Sequence, residues 1–303
     1  MMMVLVYVRA PQPCLARRTP GMVYPSHGES VLMSETGTYL PLSLPRRLVN
    51  DMLHFARRVP TVPVMRSIDV ATVRSLRETT TQRPGWCALF LHAYGLVTQR
   101  FPELRRAYLS WPRARLYEHP FSIASVAIER VYRGQPGVFF AHIRGPENQP
   151  LEALQEFLRE YKEKPVEDVP IYRRALRVSR FPGPIRRLMW AYGLNWSGPD
   201  RARRLGTFGL STYSSLGAQS MHPISPLTTT LNYGPISDDG KTTVCLVYDH
   251  RVMDGATVAR ALAALDDVFN EELPRELREL AETSVPVATR SGCDNLCQES
   301  LAG

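Results

Sequence analysis

The chain has 303 residues, of which 44% are hydrophobic and 22% are charged, so it can bury a substantial globular core. No apolar run reaches the ~18 residues that a membrane span needs. The five cysteines are an odd number at irregular positions. This pattern excludes a disulfide framework, gives no zinc motif, and favours a cytoplasmic protein without a metal ion.

In chain order, residues 1–37 are rich in Pro, Ser, Gly and Met without hydrophobic periodicity, which predicts a disordered N-terminal segment. Pro45 then opens a helix whose apolar residues recur at steps of four and three, and Pro60 follows its end. Residues 62–69 are expected to be extended. From Trp86 to Val97 nearly every residue is apolar, which predicts a buried core helix.

Two strand-like runs, 121–131 and 137–143, predict a β-hairpin. An amphipathic helix at 151–161 and an arginine-rich segment follow, and three further strand-like runs are found at 205–213, 228–233 and 242–248. This mixed order predicts an α/β fold with helices packed on a mixed sheet. We expect one domain over residues 38–273 and a largely disordered C-terminal tail over 274–303.

The segment most informative about function reads DHRVMDG, at residues 249–255. Alternation along the preceding strand places His250 at its end, and Asp254 occupies the N-cap position of the next helix. An imidazole in such a place is suited to general-base catalysis, because it accepts a proton readily near neutral pH. Taken alone, such a His is more often a core residue and such an Asp only a cap.

This segment resembles the His-x-x-x-Asp-Gly motif of the chloramphenicol acetyltransferase superfamily. With Asp-His-Arg it is similar to the catalytic domain of the dihydrolipoyl acyltransferases of 2-oxo acid dehydrogenase complexes. The runs LSLPRR at 42–47 and IASVAI at 123–128 support the resemblance, which covers roughly residues 40–273. It implies a chloramphenicol acetyltransferase-like two-layer α/β sandwich, a homotrimer with sites between subunits, and coenzyme A or acyl-CoA as co-substrate.

The resemblance also implies roles for individual residues. His250 would be the general base, and Asp254 would hold the active-site loop by pairing with Arg46 or Arg47 of the first helix. Gly255 would give the site structural support.

The family's oxyanion donor is a hydroxyl supplied by a neighbouring subunit. The run TYSSLG at 212–217 is similar to the family's Thr-Ile-Ser-Ser-Leu-Gly, which makes Ser214 the first choice. Ser211 is the alternative if the alignment starts from Gly206. Loss of such a donor typically costs about 3–4 kcal/mol of transition-state stabilisation.

The chain also departs from the family. It shows no lipoyl domain, no lipoyl-lysine motif and no peripheral-subunit-binding domain, so we expect no covalently attached lipoate. No Gly-x-Ser-x-Gly elbow is present, which favours direct transfer to an unidentified small-molecule or carrier-bound acceptor over a covalent acyl-enzyme. The rival interpretation is a non-catalytic trimeric scaffold with the same fold.

The net charge of +8 is local, because residues 171–204 hold nine arginines against one acidic residue. Arginine suits the phosphates of coenzyme A, but the same segment carries Trp190, Tyr192 and Trp196 and would equally suit an anionic membrane surface. The latter would make the chain a peripheral acyltransferase acting on a membrane lipid; a solvated basic face is the third interpretation. No nucleic-acid motif is present, and we expect no nucleic-acid partner. The arginines expected to contact coenzyme A are Arg173, Arg174, Arg186 and Arg187.

Overall fold

The computed structural model describes residues 38–80 and 83–283. The predicted disorder of residues 1–37 and 284–303 therefore lies outside the described residues. The helices are α1 (Leu44–Ala56), α2 (Ala71–Thr79), α3 (Trp86–Arg100), α4 (Leu151–Glu163), α5 (Pro170–Ser179), α6 (Gly183–Asn195), α7 (Gly198–Leu205), α8 (Gly255–Asp267) and α9 (Leu273–Thr283). The strands are β1 (Thr61–Asp69), β2 (Arg106–Leu109), β3 (Arg115–Glu118), β4 (Ile123–Tyr132), β5 (Gln135–Arg144), β6 (Phe208–Leu210), β7 (Thr229–Tyr233) and β8 (Lys241–Asp249).

Six strands form one mixed sheet in the order β1-β8-β7-β6-β4-β5, and β2 pairs with β3 in a small second sheet. The pairs β4–β6 and β6–β7 are parallel, and the other neighbours in the large sheet are antiparallel. The mixed sheet and the α/β fold class predicted from the sequence are confirmed.

The main core lies on one face of this sheet. Alternate residues of β8 (Val244, Leu246 and Tyr248) point into it, as the period-two pattern of the strand requires. Helix α3 is buried on nearly all sides, which explains why its sequence is almost continuously apolar. The core also takes side chains from α4, α8 and α9. None of the described helices is long and apolar enough to cross a membrane.

The predicted hairpin is confirmed, with a shorter turn than the sequence indicated. Strands β4 and β5 pair from Ile123 with Arg144 to Tyr132 with Gln135. Only Arg133 and Gly134 connect them, and both have positive φ angles, of 52° and 75°. Two left-handed residues are the geometry of a two-residue turn whose twist matches that of the strands.

The predicted end of the domain at residue 273 is wrong. Helix α9 continues the fold from Leu273 to Thr283, because it carries an apolar side that packs on the core. Leu277 is fully buried, and the carboxylate of Glu276 lies 3.0 Å from Nε2 of His92 on α3. Residues 274–283 therefore belong to the folded domain rather than to a tail.

The arginine-rich segment forms α5, α6 and α7. Helix α5 is amphipathic: Tyr172 and Leu176 are buried while Arg173 and Arg174 are exposed. Helices α1, α5 and α6 cover the second face of the sheet and its β5 edge. The sequence pattern indicated the charge of this segment but not its helices.

Candidate active site

His250 lies just beyond the end of β8, where the chain turns toward α8. Its backbone N–H donates to the carbonyl oxygen of Pro60 at 3.0 Å, which ties this turn to the start of β1. The imidazole packs at a tilt on the ring of Tyr248, with 5.5 Å between centroids. Its side chain is 49% exposed, so the ring is held by its neighbours but remains open to a substrate.

The turn itself is held by Asp249, which is fully buried. Its carboxylate accepts from the guanidinium of Arg251 at Nε (2.9 Å) and Nη2 (2.7 Å), and from the backbone N–H of Arg251 at 3.0 Å. The guanidinium also lies 4.3 Å from the ring centre of Tyr108. Sequence reasoning treated Asp249 and Arg251 only as marks of resemblance. The sequence signal for this ion pair was an acidic residue and an arginine two positions apart, on either side of the histidine.

Asp254 takes the backbone conformation of an N-cap, but its side chain makes no capping hydrogen bond. One carboxylate oxygen lies 3.6 Å from Nδ1 of His250. A Cβ added to Gly255 would lie 3.3 Å from the hydroxyl of Tyr248, so the small residue gives the turn room.

The predicted pairing of Asp254 with Arg46 or Arg47 is not formed and is wrong within the chain. Arg46 is exposed, and Nε of Arg47 donates to the carbonyl oxygen of Leu42 at 3.2 Å. The reason is the strand order. Helix α1 packs on β5, and β5 is separated from β8 by three strands. Four strand spacings of about 4.8 Å put roughly 19 Å between them.

Both candidate oxyanion donors follow β6. Ser211 is buried, and its backbone N–H donates to the carbonyl oxygen of Leu231 at 3.1 Å. Ser214 is half-buried in a 3₁₀ turn, where its backbone N–H donates to Oγ1 of Thr212 at 3.2 Å. Thr212 in turn donates to the carbonyl oxygen of Tyr233 at 2.9 Å.

Within one chain, these serines and His250 lie at opposite ends of the sheet. Tyr233 pairs with Val244, near the start of β8, whereas His250 follows the end of that strand. Six residues at about 3.4 Å each separate the two places by roughly 20 Å. One chain does not bring Ser214 to its own His250.

Apolar side chains lie exposed in two separate segments. Leu216 and Met221, in the loop after Ser214, are 53% and 67% exposed. In the segment before α1, Tyr39 and Leu40 are almost completely exposed. Apolar residues grouped in this way are typical of surfaces that another subunit covers.

The four arginines expected to contact coenzyme A do not share one site. Arg186 is committed to α1, because its guanidinium pairs with the buried carboxylate of Asp51 at 2.5 Å and also donates to the carbonyl oxygen of Phe181. Arg173 and Arg174 are exposed on α5, and Arg187 is exposed on α6. Over residues 38–80 and 83–283, no group of three or more His, Cys, Asp or Glu residues is placed to hold a metal ion.

Comparison with protein-family models finds no match, and neither does comparison with curated proteins. Solved structures do match. A probable dihydrolipoamide acetyltransferase from Listeria monocytogenes aligns with 84% of this chain and 100% of its own, with a TM-score of 0.56 and 17% identity. The cubic core of a pyruvate dehydrogenase multienzyme complex aligns over the same shares, with a TM-score of 0.60 and 18% identity.

A dihydrolipoamide acetyltransferase from Azotobacter vinelandii, whose Ser, His and Asn were investigated for their role in catalysis, also aligns with 84% of this chain and 100% of its own. Its TM-score is 0.59 at 18% identity. This chain therefore has the fold of the dihydrolipoamide acetyltransferase catalytic cores.

Proposed function

We propose that this protein is a CoA-dependent acyltransferase that moves an acyl group between a thioester and an acceptor by direct transfer. The observation that carries the proposal is the placement of His250. Its ring is open to a substrate, it stands four positions before Asp254, and the turn that bears it belongs to an acetyltransferase fold. The Azotobacter protein has an investigated His and Asn at the same spacing.

The proposed reaction uses His250 as the general base. Asp254 beside Nδ1 would keep the proton on that nitrogen and leave Nε2 free to accept. The acceptor, a thiol, alcohol or amine, gives its proton to Nε2 and attacks the thioester carbonyl. The tetrahedral oxyanion collapses, the C–S bond breaks, and the coenzyme A thiolate takes the proton back from the imidazolium.

The oxyanion donor in this proposal is Ser214 of a neighbouring subunit, with Ser211 as the alternative. The roughly 20 Å between the two ends of β8 supports a site shared between chains, since the two groups must lie about 3 Å from one substrate. The exposed apolar residues around Leu216 and Met221 support a contact at this place. We infer a homotrimer, in which each of three equivalent contacts would join one His250 to one Ser214.

Coenzyme A would be the co-substrate. Of the arginines in the basic segment, Arg173, Arg174 and Arg187 are exposed and would be available to contact its phosphates, whereas Arg186 is held by Asp51. The acceptor is a small molecule or a carrier-bound group.

The test is thiol release from a panel of acyl-CoAs, with and without dihydrolipoamide as a trial acceptor. The dihydrolipoamide arm is followed by mass spectrometry of the acylated product, which separates it from the added thiol. His250→Ala should abolish turnover with an unchanged circular dichroism spectrum. The matched control is His54→Ala, which removes a histidine from α1 and should keep wild-type turnover. Unchanged turnover in His250→Ala would contradict the assignment of His250 as the general base.

The scaffold interpretation makes the opposite predictions. A non-catalytic trimer would assemble normally and would bind no acyl-CoA in calorimetry. The His250→Ala variant would assemble like the wild type.

One surface favours a second candidate function, acyl transfer to a membrane lipid. Phe181, Ile185, Leu188, Tyr192 and Trp196 are spaced by four, three, four and four residues and are 44–71% exposed, so they form one stripe along α6 and its flanking residues. Arg187 flanks the stripe, an arrangement typical of helices that lie on anionic membranes. Co-sedimentation with phosphatidylserine vesicles should be lost in Leu188→Glu if this function holds. Equal sedimentation of that variant, or none by the wild type, would exclude it.

A further inference from the structure

A cavity of about 190 Å³ lies between the second face of the sheet and helices α1, α5 and α6. Its floor is formed by β4, β5, β6 and β7, and its roof by α1 and the three helices of the arginine-rich segment. It is separate from the main core, which fills the opposite face. The proposed acyl-transfer chemistry leaves this cavity unexplained.

The lining is predominantly apolar. Leu48, Met52, Phe140, Ile171 and Trp190 contribute side chains from four different elements. His142 also lines the cavity, and burial lowers the pKa of its imidazole to about 4, so this group is uncharged near neutral pH. A roomy cavity with an apolar interior favours hydrocarbon over water.

The volume sets the size of the occupant. An apolar protein cavity of about 150 Å³ accepts benzene, so this one matches a chain of roughly six to eight carbons. An acetyl group would leave most of the space empty.

The opening of the cavity carries positive charge. Arg174, Arg203 and Arg204 line the cavity and are also exposed, which places them at its edge. Arg203 is paired with Asp200 at 2.6 Å. The guanidinium groups suit a ligand whose apolar chain enters the cavity while an anionic group stays outside.

The wall of the cavity also includes Ser211, three residues before Ser214. A chain that fills the cavity would therefore extend to the segment that supplies the proposed oxyanion donor. The cavity and this segment are contiguous.

We propose that this cavity binds the hydrocarbon chain of a medium-chain acyl group, so that the transferred group has about six to eight carbons. The identity of the bound chain as a transferred acyl group rests on the proposed acyltransferase function, whereas the binding of a hydrocarbon chain in the cavity does not. An experiment can therefore distinguish failure of the cavity proposal from failure of the proposed function.

Calorimetry with octanoate, octanoyl-CoA and acetate tests the site without turnover. Wild type and His250→Ala should bind octanoate alike and should not bind acetate. Ala175→Phe places a ring into the cavity from α5 and should weaken octanoate binding at least tenfold. Ala191→Phe on α6 makes the same change away from the lining and should bind like the wild type. Ala127→Leu fills the cavity from the β4 side and serves if Ala175→Phe fails to fold.

Thiol release then tests the assignment to the transferred group. Octanoyl-CoA should exceed acetyl-CoA in kcat/KM by at least tenfold, and the filled variants should lose that preference while keeping turnover of acetyl-CoA. Octanoate binding without any turnover would leave the site intact and overturn only the acyltransferase function. Absence of octanoate binding, or its persistence in both filled variants, would overturn the cavity proposal even with an active enzyme.

Discussion

Asp249 and Arg251 form a two-point ion pair across the turn that carries His250, with N–O distances of 2.9 and 2.7 Å. Asp249 is completely buried, whereas the side chain of Arg251 is 31% exposed. Without its arginine partner this buried carboxylate would be strongly destabilising, because water does not solvate it. The pair therefore fixes both the stability of the turn and the direction in which the imidazole projects.

Replacement of Arg251 by Met should lower the free energy of unfolding by about 1–3 kcal/mol. This is less than the loss expected from breaking a fully buried ion pair, because the arginine is partly solvated. Urea denaturation of wild type and variant measures this loss. Arg159→Met removes an exposed pair with Glu156 and should cost less than about 1 kcal/mol. Equal losses in the two variants would contradict the structural role given to Asp249.

The pair between His92 on α3 and Glu276 on α9 predicts a pH dependence of stability. Burial lowers the pKa of His92, but the hydrogen bond and charge of Glu276 outweigh it, so the folded-state pKa is raised above 6.5. The pair therefore stabilises the fold fully at pH values below the pKa of His92 in the unfolded chain. This stabilisation is lost as the pH rises through the pKa of His92 in the folded protein.

Glu276→Gln should therefore reduce the free energy of unfolding more at about pH 5.5 than at about pH 8.5. Denaturant titrations of wild type and variant at both pH values give the comparison. Glu272→Gln breaks a pair with Arg100, which involves no histidine, and should cost the same at each pH. A pH-independent effect of Glu276→Gln would refute the assigned charge of His92.

Gly206 precedes β6 with φ of 87° and ψ of 178°, a region that is essentially closed to residues with a side chain. A Cβ there would lie 2.8 Å from the carbonyl oxygen of Ile123. Gly206→Ala should lower the free energy of unfolding by about 1–3 kcal/mol or more. Gly134→Asn, in an open hairpin turn that favours Asn, should stay within about 1 kcal/mol of wild type. Thermal denaturation measures both variants. A larger loss of stability in Gly134→Asn than in Gly206→Ala would disprove the steric restriction assigned to Gly206.

Local patterns were sufficient to predict much of this fold. The unbroken apolar run of α3, the alternation of β8 and the helix after Asp254 each depend on neighbours within a few residues. The hairpin of β4 and β5 was visible for the same reason. The end of the domain was misplaced, because α9 packs through an apolar side that its many charged residues obscure.

The site could be predicted only as far as local sequence reaches. His250 and Asp254 lie in one turn, so their proximity follows from their spacing. The failed pairing of Asp254 with Arg46 or Arg47 depends on strand order, which no local pattern shows. The pair between Asp51 and Arg186 and the cavity behind α6 likewise join segments far apart in the chain.

The central claim is that each site takes His250 from one chain and its serine from another. The most direct test mixes two inactive variants, His250→Ala and Ser214→Ala, by unfolding and refolding them together. Each mixed trimer would contain one contact with both groups intact, so random mixing should restore about a quarter of wild-type acyl transfer. If Ser214→Ala remains active and Ser211→Ala does not, the latter is the variant to mix.

The control gives the two variants different affinity tags, and their co-purification after refolding shows that the subunits co-assemble. Thiol release by the co-refolded single variants, absent from each variant alone, is the predicted result. No restored activity from subunits that demonstrably co-assemble would contradict a site shared between chains.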